Sequence, residues 1–131
     1  MSGMKRVFSG APWETEVGYC RATKAGPIIA VTGTAPVGDD GQAVAPGDAY
    51  RQTQCCLAII ERALAELGAD RTDVIRTRMF VTDIERWSDY GRAHREFFGD
   101  HRPATTMVEV ARLIDPQMLI EIEADAYREP E

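Results

Sequence analysis

The chain has little of what would suit it to phosphates, membranes or metals. Its 131 residues carry 15 lysines and arginines against 21 aspartates and glutamates, a formal net charge of −6 at pH 7. Without a surplus of cations it cannot neutralise a phosphate backbone, so nucleic acid is a poor partner. No apolar run approaches the roughly 18 residues that cross a bilayer. Met4-Lys5-Arg6-Val7-Phe8 runs into Gly10, Ala11 and Pro12, not into a secretory core, and a cytoplasmic protein is expected. Three cysteines, with Cys55 and Cys56 adjacent, exclude a full set of intrachain disulfides and suit reduced thiols. His94 and His101 stand at no metal-ligand spacing to each other or to a cysteine, so no metal is expected. Gly38-Asp39-Asp40-Gly41 lacks the lysine and the strand-to-helix setting of a phosphate loop.

What is present suits one domain over 1–131, with 44% hydrophobic residues to build a core. Val7 and Phe8 suit a short edge strand that Gly10-Ala11-Pro12 ends, and a loop is expected after it. Gly18 to Thr32 reads as a hairpin, turning at Ala25-Gly26-Pro27 into the β-branched run Ile28 to Thr32. Gly33 to Gly47, rich in glycine and small residues, reads as surface loop. Asp48 is a helix cap ahead of Tyr50, Thr53, Leu57, Ile60, Leu64 and Leu67 at helical spacing, with Gly68 as the stop. Val74 to Val81 alternates, with Ile75, Thr77, Met79 and Val81 on the apolar face and Arg76, Arg78 and Phe80 on the other. Trp87, Tyr90, His94, Phe97 and Phe98 then mark a second helix, capped by Thr82 or Asp83 and supplying aromatics to the core.

The C-terminal quarter holds two alternating runs. Thr105, Met107 and Glu109 oppose Thr106, Val108 and Val110, and Ile120, Ile122, Ala124 and Ala126 oppose Glu121, Glu123 and Asp125. If these runs are neighbouring strands, one sheet face is apolar and the other sets a row of carboxylates beside threonines and Met107. That mixed face is the candidate site. The order is ββαβαββ behind the edge strand, an α+β chain with a six-stranded mixed sheet and two helices on one face. The uncovered face, with Met107, Leu119 and Phe80 among its charges, then meets water or another subunit, and an oligomer is inferred.

Arg102-Pro103-Ala104 through Val108-Glu109-Val110-Ala111-Arg112-Leu113, followed by Ile120-Glu121-Ile122-Glu123-Ala124, resembles the Rid family (YjgF/RidA, reactive-intermediate deaminases). Gly18-Tyr19, Thr32-Gly33 and Arg78-Met79-Phe80-Val81-Thr82-Asp83 fit the same pattern, so the likeness spans nearly the whole chain. The resemblance implies a chorismate-mutase-like fold, a homotrimer, and pockets between subunits that bind small molecules and hydrolyse imines or enamines such as 2-aminoacrylate without a cofactor. It implies Glu121 as the proton-transfer group and Tyr19, Thr32, Gly33, Thr105 and Met107 as pocket residues. The family's arginine directly after Pro-Ala is Thr105 here, and Met107 stands where cysteine is common. A neutral hydroxyl cannot grip a carboxylate as a guanidinium fork does. Either the substrate lacks a carboxylate or a nearby cation compensates, and Arg78 is then the expected candidate, with Arg102 and Arg112 as alternatives. A ligand-binding or regulatory trimer without turnover stays open beside the hydrolase, with ribonuclease or translation inhibition behind both.

Glu123 and Asp125 read as a solvated face balanced by Arg76 and Arg78, and Cys55 and Cys56 as small apolar helix residues. Cys20 reads as structural.

Overall fold

A computed structural model describes residues 3–130. Strands β1 (Met4–Val7), β2 (Ala22–Ala25), β3 (Ile28–Thr34), β4 (Val74–Val81), β5 (Ala104–Glu109) and β6 (Ile120–Tyr127) form one sheet in the order β1-β2-β3-β6-β4-β5. Only the β4–β5 pair is parallel, and the other neighbours run antiparallel. Helices α2 (Ala49–Glu66) and α3 (Trp87–Phe98) pack on one another, and α2 lies against β3 and β6.

Helix α2 starts where its sequence says it should. The Asp48 carboxylate accepts from the Arg51 amide and answers one of the orphan donors of the first turn. Cys56, Leu57, Ile60 and Leu64 then bury one face against Ile29, Val31, Ile120 and Ile122 of the sheet. Cys56 is fully buried, and that burial pushes its thiol well above the ordinary range, as suits an inert core residue.

A third helix, α1 (Pro12–Val17), occupies the segment expected to be loop. Pro12 ends the strand but also begins a helix, because its fixed φ suits the first turn, where no amide partner is needed. Glu14 in that turn accepts from the Ser9 amide and hydroxyl, and Gly18, at φ 88°, closes the helix in the left-handed conformation that glycine tolerates.

Two positions expected in the core lie outside it. The β4–β6 register shifts between Val74 and Arg76, so Val74 is buried and Ile75 is turned out, 54% exposed. An irregularity of one residue reverses the faces on either side of it. Trp87 is exposed because Asp83 caps a short 3-10 turn, Ile84–Arg86, which places Trp87 at the lip of α3; Tyr90, His94 and Phe98 carry the buried face instead.

The two C-terminal runs are not neighbours: β4 lies between β5 and β6. Thr77 pairs with Thr105 and Met79 with Met107, which puts Thr105, Met107 and Glu109 on the helix-covered side of β5. Met107 and Leu119 accordingly pack against the core cluster and do not stand among the carboxylates. Ala104, Thr106 and Val108 share the open face with Arg78 and Phe80.

Candidate functional site

Glu121 projects from β6 on the open face, opposite Phe80 of β4. On its other side β3 departs from regular pairing between Val31 and Thr34, and Gly33 lies within that irregular step. A side chain on Gly33 has no room there: a Cβ falls inside 3.0 Å of Glu121 Oε2 and 3.1 Å from Cδ. The glycine thus lets the carboxylate lie against the β3 backbone. Adding one methyl tests this directly. Gly33→Ala is expected to keep its thermal midpoint within a few degrees, since the obstruction is the end of a movable side chain, while displacing the Glu121 carboxyl and shifting its titration towards the ordinary carboxylate range. A Glu121 carboxyl signal unchanged from wild type in a pH titration followed by NMR means that the seat over Gly33 is irrelevant.

Glu121 makes no hydrogen bond and no ion pair to the described residues, although it is only partly exposed. Burial pushes its carboxyl above the usual range, Arg21 pulls it down, and Glu123 adds to the rise. Arg21, just ahead of β2, lies close by. Its Nη2 donates to the Gly33 carbonyl at 2.8 Å, and its Cζ stands 5.9 Å from the centre of the Tyr19 ring. Thr32 closes the group, since its hydroxyl donates to the Cys20 carbonyl at 2.7 Å and its amide to the Arg21 carbonyl at 3.1 Å. Tyr19, Thr32, Gly33 and Glu121, distant in sequence, are therefore linked around Arg21. Tyr19 and Cys20 also line an open cleft of about 510 Å³ with Arg6, Phe8 and Glu14, a volume in the range of small-molecule sites. A cleft of about 270 Å³ between α2 and α3 holds none of the sequence-predicted residues.

Arg78 is not a free cation. Its Nη1 lies 3.0 Å from Asp125 Oδ2 and 3.3 Å from Glu123 Oε1, so it balances the two carboxylates beyond Glu121. Arg102 and Arg112 are exposed in the segments flanking β5. The residue that sequence reasoning missed is Arg21. Its signal was the alternation Tyr19-Cys20-Arg21, which puts the arginine and the tyrosine on one side of an extended chain.

Thr105 and Met107 belong to another part of the molecule. Within one chain, β5 lies two strand spacings from β6, roughly 10 Å, and these side chains point to the opposite face from Glu121. Thr105 Oγ1 lies 2.7 Å from Thr77 Oγ1, itself 2.8 Å from His94 Nε2, so the edge-strand hydroxyl ends a short chain that starts in the core. Burial lowers His94 from 6.5 to about 4, and the ring is neutral at pH 7. A depressed folded value means that protonation favours the unfolded chain: the stability from neutral His94 is whole above about pH 6.5 and is lost as pH falls through about 4. Between pH 7 and pH 4, urea unfolding should show wild type losing up to about 3 kcal/mol of stability relative to His94→Gln. A gap independent of pH would mean that the imidazole is not held neutral by burial. Among the described residues no group of three histidine, cysteine or acidic side chains is placed to hold a metal ion, and no helix is long and apolar enough to cross a membrane.

Comparison with known proteins places this geometry. The family described as Endoribonuclease L-PSP matches residues 10–128. A crystal structure of a Mycobacterium tuberculosis member of the YjgF/YER057c/UK114 family is 48% identical, covers 95% of this chain and 98% of that one, and superposes with a TM-score of 0.86. The 3-aminoacrylate deaminase RutC of Acinetobacter baylyi is 36% identical over 112 residues, covering 83% of this chain and 86% of the relative. A Rid-family protein, YyfA of Yersinia pestis, is 29% identical over 83% of this chain and 86% of that one, with a TM-score of 0.79. The six-stranded mixed sheet, the helices on it and these matches together mean that the chain belongs to the YjgF/Rid family, the family of the Endoribonuclease L-PSP model.

Proposed function

We propose that this protein hydrolyses a small imine or enamine to a carbonyl compound and ammonia, without a cofactor, in clefts between the subunits of a homotrimer. The observation that carries the reading is Glu121: a partly buried carboxyl, pushed up by burial, with no protein partner, seated against Gly33 beside Arg21 and Tyr19. The neighbouring carboxylates of the same strand, Glu123 and Asp125, are paired with Arg78. A partly buried carboxyl left unpaired, with its proton affinity raised by burial, suits proton transfer.

The reaction is balanced without a metal or redox partner. An enamine takes a proton on carbon to become the iminium, water adds to the iminium carbon as it gives up a proton, and the tetrahedral adduct expels ammonia as its hydroxyl proton passes to nitrogen and the C=O bond forms. Net, one water enters and one ammonia leaves. Glu121 delivers the proton to carbon and receives one from the attacking water, while Tyr19, Thr32 and Gly33 bound the space around it. The deaminase name of the Acinetobacter baylyi relative supports this reaction class.

A ligand-binding trimer without turnover is the second reading, favoured by Thr105, whose hydroxyl is engaged by Thr77 where the resemblance implies an arginine. The assay that separates them generates 2-aminoacrylate and a panel of other imines in situ and follows ammonia release. Release well above the spontaneous rate is expected for at least one of them. Binding with no acceleration of any imine sinks the hydrolase, and RNA cleavage that co-purifies with the folded protein through every step replaces it with the ribonuclease that the family's description names.

A further inference from the structure

The segment that carries α1 closes on itself. The Arg21 amide donates to the Val7 carbonyl at 2.7 Å, so residues 8–20 leave the sheet and return at one point, as in an Ω-loop. Gly10 at φ 82° and Gly18 at φ 88° make its corners. Glu14, 5% exposed, clasps it from within by accepting from the Ser9 amide at 3.1 Å and from the Ser9 hydroxyl. Every residue lining the open cleft of about 510 Å³ lies between Arg6 and Cys20, so this loop and the strand end that feeds it make the whole cavity. Arg21, Gly33 and Glu121 do not line it. A cleft tied in this way keeps its shape without a ligand, which lowers the cost of binding one.

Its walls combine an unpaired cation with bare aromatic surface. Val7 is turned into the core, so Arg6 and Phe8 on either side of it point the other way, onto the cleft. Arg6 forms no ion pair with the described residues, and its one hydrogen bond, at 3.8 Å, goes to the sulfur of Met4, a weak acceptor. In a chain with 21 acidic residues against 15 basic ones, a cation without a carboxylate is the exception. Phe8 is 65% exposed, and Tyr19 brings a second ring from the returning arm of the loop. Glu14 is the one carboxylate of the lining, and Ser9 already engages it.

We propose that the α1 cleft is a second ligand site, apart from the Glu121 seat, and that it takes a flat aromatic molecule bearing one negative charge. The anionic group meets the Arg6 guanidinium, and the ring system covers Phe8 and Tyr19. One charge suits the cleft better than two, because Arg6 is its one cation and Glu14 repels a second negative group. The volume is that of a small-molecule site and far too small for a polymer. This site goes beyond the hydrolase reading and does not depend on it.

The test is calorimetric titration at pH 7 of 2-naphthalenesulfonate, with uncharged 2-naphthol as its control, into wild type, Arg6→Met, Phe8→Ala, Phe8→Leu and Glu121→Gln. Expected is one site per chain. Arg6→Met should weaken 2-naphthalenesulfonate at least tenfold and leave 2-naphthol unchanged. Phe8→Ala should weaken both probes severalfold, because both lose the ring they cover. Glu121→Gln should bind both as wild type does, which separates this cleft from the Glu121 seat. Arg6 and Phe8 are exposed, so the variants are expected to fold, and thermal unfolding of each confirms it. If Phe8→Ala does not fold, Phe8→Leu carries the test: it keeps the bulk without the flat face, and both probes should still bind more weakly. The proposal is overturned by any of four results: no binding of 2-naphthalenesulfonate by wild type up to its solubility limit, unchanged affinity in Arg6→Met, equal losses of the two probes in Arg6→Met, or a loss in Glu121→Gln as large as that in Arg6→Met.

Discussion

Glu121→Gln is expected to lower kcat/KM for imine hydrolysis at least a hundredfold while leaving the fold intact. The amide keeps the shape and the seat over Gly33 but cannot exchange a proton, and a positioned acid or base contributes on the order of 10²–10⁴ in rate. Stability should hold or rise slightly. The carboxyl makes no protein contact that glutamine would break, and the like charge of Glu123 ceases to be opposed. Glu121→Asp sharpens the result: it retains a carboxyl but withdraws it by one methylene from Gly33, so intermediate activity is expected. Steady-state kinetics with an in situ imine source and thermal unfolding of all three proteins give the answer. Glutamine at wild-type rates would remove Glu121 from the chemistry. A large drop in the unfolding midpoint would show it to be a structural residue.

The largest effect on stability is expected at Gln52, which lies within α2 with no exposed surface. Its amide nitrogen donates to the carbonyls of Val44 at 3.0 Å and Gln117 at 2.8 Å, and its oxygen accepts from the Leu119 amide at 2.8 Å. One side chain thus ties the segment before α2 and the segment before β6 to the helix. Gln52→Leu fills similar volume but strands three backbone groups in the interior, each at about 1–3 kcal/mol. The expected loss is about 3–5 kcal/mol after some groups find water, a large part of the 5–15 kcal/mol that holds a typical domain together. Urea unfolding measures it, and a change under 1 kcal/mol would mean that these groups have other partners at hand. Leu119 precedes Glu121 by two residues, so a folded variant should also lose activity, joining the fold to the site through one hydrogen bond.

The elements with local signatures were legible in the sequence. Asp48 and Gly68 bracket α2, and the Ala25-Gly26-Pro27 turn joins β2 to β3 antiparallel with Ala25 opposite Ile28. Pro12 carried two meanings, strand breaker and helix starter, and only the surrounding structure selects between them: the Glu14 contact to Ser9 and the left-handed Gly18 make it a helix start. Ile75 shows the limit of alternation, since a register irregularity is a property of two strands and leaves no mark on either alone.

The site divides in the same way. Sequence by itself determined the family pattern, the acidic balance, the two faces of β6, and Glu121 as the residue to watch, because these depend on residue identity and on a period of two along one strand. Tertiary structure decided which strands are neighbours. It placed β4 between β5 and β6, turned Thr105 and Met107 to the helix side, tied Arg78 to Glu123 and Asp125, and brought Arg21 beside Glu121. Those outcomes depend on strand order and pairing register, which join residues about a hundred positions apart by backbone hydrogen bonds that are chemically alike at every step. Their register is set by how the whole sheet packs against α2 and α3, and no short stretch of the chain contains that information.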